Sequence, residues 1–394
     1  MSVHLPDVDW TKKQGLAALT AALGPENIRW VGGAVRDTLL GVAVHDIDCA
    51  TVLTPDVVID RCKQAGIRTV PTGIDHGTVT AIMKDGTVEV TTLRRDVATD
   101  GRRATIAFAK EWREDAARRD FTINALYAHP ETLEISDYFG GLDDLEARRV
   151  RFIGDARERI AEDHLRILRY YRFQARFGSA LDPEAEDACA ALADTLKGLS
   201  RERVSDELLK LLALPDPGAT VERMHDHAVL RVILPETSLR QVELLRDVIA
   251  REAAQGFAPD PIRRLAALLP PSPDIAEIVS ARLRLSKTQR GVLVGTSGRV
   301  AADADHPRAL AYEEGTAIAI NRLLLADEDV SAIRDWQPPE LPLKGGEIVA
   351  RGVGAGPEVA RILRTVERRW VEEGFPPRRR VEQILAEELP HNLT

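Results

Sequence analysis

Near Gly154 the chain changes period, and that change constrains the fold more than any other feature of the sequence. Between Ile28 and about Arg151, β-rich runs alternate with helix-like ones; beyond Gly154, apolar residues recur at helical spacing up to the C-terminus. At 394 residues the chain is too long for one ordinary core. The break therefore separates an α/β head from an elongated, mostly helical remainder, an α+β architecture with a small mixed β-sheet at its start. Prolines within 259–273 and 338–342 mark joints between helical blocks. In the head, "VTAIMKDGTVEVTTLRR" reads as a hairpin whose β-rich runs are joined by Asp85-Gly86, a pair suited to a tight primed turn. "EISDYFGGLDDLEARRVRFI" reads as a strand, a Gly-Gly break, a short helix and another strand, and residues 1–25 as one amphipathic helix ending at Gly24-Pro25.

Composition removes several classes. Hydrophobic residues at 44% and charged residues at 29% are the balance of a globular chain. No apolar run approaches membrane-spanning length, so no membrane partner is expected, and "MSVHLPDVDWTKKQ" lacks the profile of a signal peptide. Cys49, Cys62 and Cys189 are far apart and odd in number. They fit neither a disulfide framework nor a zinc site and imply a reducing, cytoplasmic setting. A net charge of −9 argues against indiscriminate nucleic-acid binding but leaves room for a local basic groove.

The stretch "WVGGAVRDTLLGVAVHDIDCATVLTP" carries chemistry. Asp46 and Asp48 are two apart, so on a strand they share a face. Side by side they repel unless a cation sits between them, and hard oxygen ligands suit Mg²⁺, above all when substrate phosphates complete the shell. Glu89, on the second hairpin strand, offers a third carboxylate. Two metals held by three carboxylates can activate a hydroxyl and stabilise a leaving pyrophosphate. Taken alone, Asp-x-Asp is a solvated strand end and Gly32-Gly33 a tight turn. Together, a glycine pair opening a helix, with Arg36 one turn in, and the carboxylates describe a site for a metal-bound triphosphate.

Four motifs now stand in order, "GGAVRD", "HDIDCAT", "RRDFTINAL" at 118–126 and "EDHLRILRYYRF" at 162–173, with "LSRERVSDELLKLL" later in the chain. In them the chain resembles the class II tRNA nucleotidyltransferases, which include CCA-adding enzymes and bacterial poly(A) polymerases within the DNA polymerase β-like nucleotidyltransferase superfamily. The resemblance spans roughly Ile28 to Pro235; "LKGGEIVARGVGAGPEVARIL" extends it more weakly. It implies a nucleotidyltransferase head over 1–151, a helical neck over 152–235 and a helical, tRNA-binding body and tail over 236–394. It also implies that Asp46 and Asp48 bind catalytic Mg²⁺, that Glu89 completes the triad, and that Gly33, Arg36 and Arg119 hold the triphosphate. Some members carry an HD phosphohydrolase domain. Here "MHDHAV" holds His225-Asp226, but only His306 and His391 follow, so a chance dipeptide and no phosphohydrolase activity are expected.

The segment 158–177 reads as a helix on its own terms. Ile160, Ile167, Leu168, Tyr171 and Ala175 share a core face, while Asp163, Arg166, Arg169, Arg172 and Arg176 form a polar stripe. The plain reading of Asp163 and Arg166 is an i,i+3 surface ion pair. The functional reading rests on hydrogen-bond polarity. Cytosine and adenine present an amino donor beside a ring-nitrogen acceptor; uracil and guanine present the reverse order. Ionised Asp accepts and Arg donates, so the two side chains together welcome C and A and reject U and G. In the resembling family the matching pair is a protein template for the incoming base, and Arg169 and Arg172 match positions that contact the same nucleotide. Residues 94–115 read either as a solvated loop or as that family's flexible loop, which helps the switch from C to A addition. "EARRVRF" and residues 368–380 are the densest basic clusters, each a tRNA contact or a solvated helix face.

The resulting expectation is a cytoplasmic, Mg²⁺-dependent enzyme that adds C, C and A to tRNA from CTP and ATP without a nucleic-acid template. A poly(A) polymerase, or an enzyme adding only CC or only A, shares every motif; the acidic balance and the short "LPHNLT" ending favour CCA addition. A non-catalytic RNA-binding protein is disfavoured by the complete set of Asp46, Asp48 and Glu89.

Overall fold

The computed structural model describes residues 3–100 and 103–389; the side chains of 96–106, the middle of the charged 94–115 segment, lie outside the described residues. Two compact units divide the chain, Met1–Pro235 and Glu236–Thr394. In the first unit the described residues form nine strands in chain order: β1 (Ile28–Val31), β2 (Ile47–Thr51), β3 (Arg68–Gly73), β4 (Thr78–Met83), β5 (Gly86–Thr92), β6 (Arg94–Asp100), β7 (Arg103–Phe108), β8 (Leu126–Ala128) and β9 (Ile135–Asp137). Seven form one sheet in the order β3-β4-β5-β2-β1-β8-β9, and β6 pairs with β7 apart from it. β2 and β5 run parallel; the other neighbours in the large sheet are antiparallel. That parallel pairing sets Asp48 beside Glu89 in register.

Helices α1 (Gln14–Leu23), α2 (Gly33–Leu39), α3 (Pro55–Gln64), α4 (Trp112–Ala117) and α5 (Gly141–Glu146) accompany the sheet. α3 shows why such helices begin and end where they do. Pro55, with no N–H to satisfy, opens it, Asp56 lies at its positive end, and the chain leaves it through Gly66 at φ 72°. The unit continues with α6 (Ala156–Glu162), α7 (Arg166–Phe177), α8 (Pro183–Ala191), α9 (Arg201–Leu212), α10 (Gly218–Asp226) and α11 (Val229–Ile233). α7 buries Tyr170, Phe173 and Phe177 besides Ile167, Leu168 and Tyr171, a wider apolar face than the sequence pattern gives, while Ala175 is half-buried. Phe173 and Tyr170 pack on Phe121 at ring-centroid distances of 5.4 and 6.3 Å, and Phe152 lies 4.9 Å from Phe121. This aromatic cluster fixes α7 against the turn that carries "RRDFTINAL".

Four local readings need correction. Residues 1–25 are not one helix. A 3-10 turn (Asp9–Lys12) precedes α1, and residues 3–5 lie extended, with Leu5 N–H donating to Leu133 and Val3 accepting from Ile135. Pro6 disfavours helical backbone at Leu5. In the hairpin Met83 pairs with Gly86, so Lys84-Asp85 is the turn, displaced one residue from Asp85-Gly86. Asp85 is held there by accepting the Gly15 N–H of α1 at 2.9 Å. The last strand read in "EARRVRFI" is only two isolated bridges, Arg149 to Ala180 and Phe121 to Phe152, before the chain turns away at Gly154, φ 75°. Finally, 158–177 is two helices, broken at Asp163.

The second unit is helical among its described residues: α12 (Leu239–Gln255), α13 (Pro261–Ala267), α14 (Pro273–Arg282), α15 (Lys287–Ser297), α16 (Pro307–Glu314), α17 (Thr316–Ala326), α18 (Gly345–Val349), α19 (Pro357–Glu372) and α20 (Arg378–Glu388). Pro261 and Pro273 start α13 and α14, and the 338–342 prolines lie in the connection between α17 and α18. Glu252 is buried between Arg263 and Arg264, at 2.6 and 2.7 Å. Ile348, Ile362, Val366, Trp370, Val381, Ile384 and Leu385 form a separate core for the C-terminal helices.

Candidate active site

β2 is buried along its length except at Asp48, which is half-buried; Asp46 stands exposed one residue before the strand begins, and Glu89 is exposed on β5. Burial raises the pKa of Asp48, the neighbouring charges of Glu89 and Asp46 raise it further, and Arg119 alone counteracts them. A carboxylate pushed up by other carboxylates is a group in want of a cation. Among the described residues no three His, Cys, Asp or Glu side chains form a ready-made metal cage. The adjacent carboxylates of Asp48, Asp46 and Glu89 would suit a hard divalent cation whose shell is completed by substrate phosphates.

Gly32 leads into α2 at φ 71°, ψ −126°, a conformation closed to residues with a Cβ. A Cβ there would stand in ordinary contact, 3.5 Å from Arg119 Nη1 and 3.9 Å from Asp48 Oδ2, so it is the positive φ that calls for glycine where backbone, carboxylate and guanidinium meet. Arg119 is anchored by its other side. Nε donates to Tyr127 Oη at 3.0 Å, and Nη2 donates to Asp115 Oδ2 at 3.2 Å. Gly33 opens the helix itself. Arg36 is held one layer below: 4% exposed, it donates to Asp37 (2.8 Å) and Asn124 (2.5 Å), with Phe173 and Phe177 against its guanidinium. Its Nη2 lies 3.8 Å from where a Cβ at Gly33 would stand, so its charge sits under the start of α2.

From Arg36 a chain of charges runs to α7 and α9. Asn124 donates to Asp120 at 2.9 Å, Arg169 donates to Asp120 at 2.8 Å, and Glu207 accepts from Arg172 at 2.6 Å while lying 3.7 Å from Arg169. Arg176 closes on Asp37 at 3.1 Å. The polar stripe of α7 is thus pinned along its length. Asp163 and Arg166 do not pair with each other: Asp163 meets Arg203 at 2.7 Å, and Arg166 meets Glu162 at 2.6 Å. The i,i+3 ion pair is replaced because Asp163 leaves the helix, its Oδ1 accepting the Leu165 N–H at 3.1 Å.

Asp115, Asp120, Asn124, Tyr127, Arg203 and Glu207 were not picked out from sequence. Asp115 was legible, three and four residues before Arg118 and Arg119, which follow the end of α4; Glu207, more than thirty residues from Arg172, gave no local signal. Burial works to raise Asp120, but Arg169, Asn124 and the Phe121 N–H prevail and hold it at about 2. A folded pKa below the unfolded value of 3.8 contributes stability that is present above pH 4 and lost as pH falls toward 2. Asp120→Asn is therefore expected to lose on the order of 1–3 kcal/mol at pH 7, with the gap to wild type closing across that acid window in urea melts. A gap that stays constant down to pH 2 would remove Asp120 from this role.

The basic clusters are largely spent. Arg149 and Arg151 of "EARRVRF" clamp the fully buried Asp144 at 2.6 and 2.8 Å. In 368–380, Arg369 meets Glu387 and Glu388, Arg380 meets Glu373 and Glu387, and Arg378 meets Glu382 and Glu347. Arg364, Arg368 and Arg379 stand exposed.

A mixed sheet presenting adjacent carboxylates to a glycine-led helix and an anchored arginine is the build of a nucleotidyltransferase. The model for the poly A polymerase head domain matches residues 28–151, and that for the probable RNA and SrmB-binding site of polymerase A matches residues 179–240. CCA tRNA nucleotidyltransferase 1, mitochondrial, of Homo sapiens is 33% identical over 398 residues, spanning 95% of this chain and 90% of that protein. The CCA-adding enzyme of Streptococcus pneumoniae serotype 19F is 47% identical over 188 residues, 47% of this chain and 46% of its own. In fold, the chain is similar to the Bacillus stearothermophilus CCA-adding enzyme in complex with CTP, with a TM-score of 0.75 over 95% of this chain and 98% of that one at 24% identity. The chain belongs to the tRNA nucleotidyltransferase and poly(A) polymerase family.

Proposed function

We propose that the protein adds C, C and A in turn to the 3′ end of tRNA from CTP and ATP, without a nucleic-acid template, releasing pyrophosphate. The observation that carries the reading is the likeness to a CCA tRNA nucleotidyltransferase along 95% of the chain, through head and helical portions alike. Asp46 and Asp48, with Glu89 beside them, hold Mg²⁺, which when bound makes a hydroxyl more acidic and offsets charge on a leaving pyrophosphate. The backbone N–H groups at Gly33 and the free edge of Arg119 receive the triphosphate, with Arg36 adding positive charge from below. Asp163 and Arg166 read the base, and Arg169 and Arg172, pinned by Asp120 and Glu207, line the same nucleotide.

The head over 1–151 performs the chemistry, the neck over 152–235 carries the base-reading helices, and 236–394 binds tRNA. The division into compact units at Pro235 supports the second boundary. No helix among the described residues is long and apolar enough to cross a membrane, and the three buried free cysteines suit the cytoplasmic setting proposed here. The test is to offer CTP, ATP, GTP and UTP singly to tRNA transcripts ending before, within and after CC. Addition of C to the first two and A to the third supports the reading; A-tails on every end would replace it with poly(A) synthesis.

Binding of tRNA should weaken steeply with salt despite the net charge of −9. Each phosphate contact contributes a log–log slope of roughly −0.7 to −0.9. Replacing Arg364, Arg368 and Arg379 together by Gln is expected to flatten the slope by about two contacts, read by filter binding between low and moderate salt. An unchanged slope makes this face merely solvated.

A further inference from the structure

Asp115 is a heavily used carboxylate among the described residues of the head. It lies on α4, 1% exposed. Oδ1 accepts from Arg118 Nε at 2.8 Å and from the Arg94 backbone N–H at 3.3 Å. Oδ2 accepts from Tyr127 Oη at 2.7 Å, from Arg119 Nη2 at 3.2 Å and from Arg119 Nε at 3.4 Å. A guanidinium has five N–H groups in a rigid fork, and what holds one edge decides where the other points. Here Asp115 and Tyr127 take the Nε/Nη2 edge, and Nη1 is left at the corner formed by Gly32 and Asp48.

We propose that Asp115 is a positioning residue for nucleotide binding: it fixes the orientation in which Arg119 presents Nη1 to the triphosphate, and Tyr127 completes the clamp. The inference rests on the reading of Arg119 as a triphosphate ligand. Burial works against the Asp115 charge, but Arg119, Arg118 and the Tyr127 hydroxyl hold its pKa at about 2, so the clamp stays ionised at any working pH. The same carboxylate receives the first N–H of β6 (Arg94–Asp100), so the root of the β6–β7 pair is tied to the arginine that faces Asp48.

A positioning role and a purely structural one part company in what they do to ligands. The triphosphate is common to CTP and ATP and absent from CMP. In the full chain without tRNA, where no transfer occurs, Asp115→Asn is expected to weaken CTP and ATP binding alike, on the order of tenfold, and to leave CMP binding within about twofold. Tyr127→Phe keeps the carboxylate and should give a smaller loss, about threefold, confined to the triphosphates; it carries the test should Asp115→Asn fail to fold. In an Arg119→Ala background Asp115→Asn should have no further effect, the non-additivity expected of one acting through the other. Unchanged CTP affinity in folded Asp115→Asn, equal losses for CTP and CMP, or full additivity with Arg119→Ala overturns the positioning role while Arg119 keeps its own. Unchanged CTP affinity in Arg119→Ala itself overturns the reading of Arg119, and this inference falls with it.

Discussion

Asp46→Ala and Asp48→Ala abolish nucleotide transfer while tRNA affinity stays nearly intact, and Asp48→Asn does so without lowering the stability of the metal-free protein. The first half of this expected result follows from geometry. Asp48 and Glu89 are register neighbours on parallel strands, Asp46 adds its charge to theirs, and Arg119 is the counter-charge acting on Asp48. A metal-held reaction loses several kcal/mol of transition-state stabilisation when a ligand goes, on the order of a thousandfold or more in rate. The second half follows from linkage. Burial and the neighbouring carboxylates raise the folded pKa of Asp48 above its unfolded value. Stability from such a group is present below the unfolded pKa and is lost as pH rises through the folded one, so at neutral pH ionised Asp48 works against folding. Asn removes that charge, and the melting temperature should hold or rise. Mg²⁺ should raise the melting temperature of wild type by mass action and leave both alanine variants unmoved. Turnover by either variant within tenfold of wild type would sink the metal assignment, and a lowered melt for Asp48→Asn would make Asp48 structural.

What made this site legible was alternation. β2 and β5 both read as strands, and a carboxylate in a run such as "IDCAT", otherwise buried, is conspicuous because burial penalises it unless something charged compensates. Gly32 was legible for a related reason, since a glycine pair between a buried strand and a helix marks backbone that must approach something closely. The arginines were legible only as residues. Nothing in sequence says that Arg36 turns beneath α2 onto Asn124, or that Glu207 reaches Arg172 from α9, because those partners are set by tertiary packing. The hairpin turn slipped by one residue for a similar cause: Asp85 is tied to Gly15 of α1, a contact seventy residues away. At Asp163 a helical wheel continues smoothly from 158 to 177, yet a short polar side chain competing for a nearby backbone N–H ends one helix and starts another. Periodicity is blind to that competition, and the break falls on a residue proposed to read the base.

Nucleotide choice should therefore change when Asp163 or Arg166 is altered, and by more than any change in stability explains. Asp163 sits between α6 and α7 with Oδ1 on the Leu165 N–H and Oδ2 on Arg203. Arg166 donates Nη1 to Glu162 and to the Arg159 carbonyl, and Nη2 to the Arg118 carbonyl. Each is thus oriented by groups other than its neighbour in the stripe, which leaves acceptor capacity on Asp163 and donor capacity on Arg166 for a third party. The Asp163–Arg203 pair is about a third exposed on each side, so its loss alone should cost at most about 1 kcal/mol of stability. If the two side chains read the base, Arg166→Ala loses the selection of C and A, and Asp163→Ala admits UTP or GTP more readily relative to CTP and ATP. Each well-made contact carries on the order of 1–3 kcal/mol of discrimination, by analogy with paired base contacts elsewhere, or roughly five- to a hundred-and-fifty-fold in relative kcat/KM. Arg203→Ala is the control that removes the ion pair and keeps the acceptor: it should lower the melt as Asp163→Ala does, yet hold selection for C and A far better. The measurement is single-nucleotide incorporation with all four triphosphates on one tRNA, for wild type and the three variants, beside thermal melts. Identical nucleotide preference in folded Asp163→Ala and Arg166→Ala would reduce both residues to the hinge between two helices, and base choice would have to be sought further along α7, at Arg169 and Arg172.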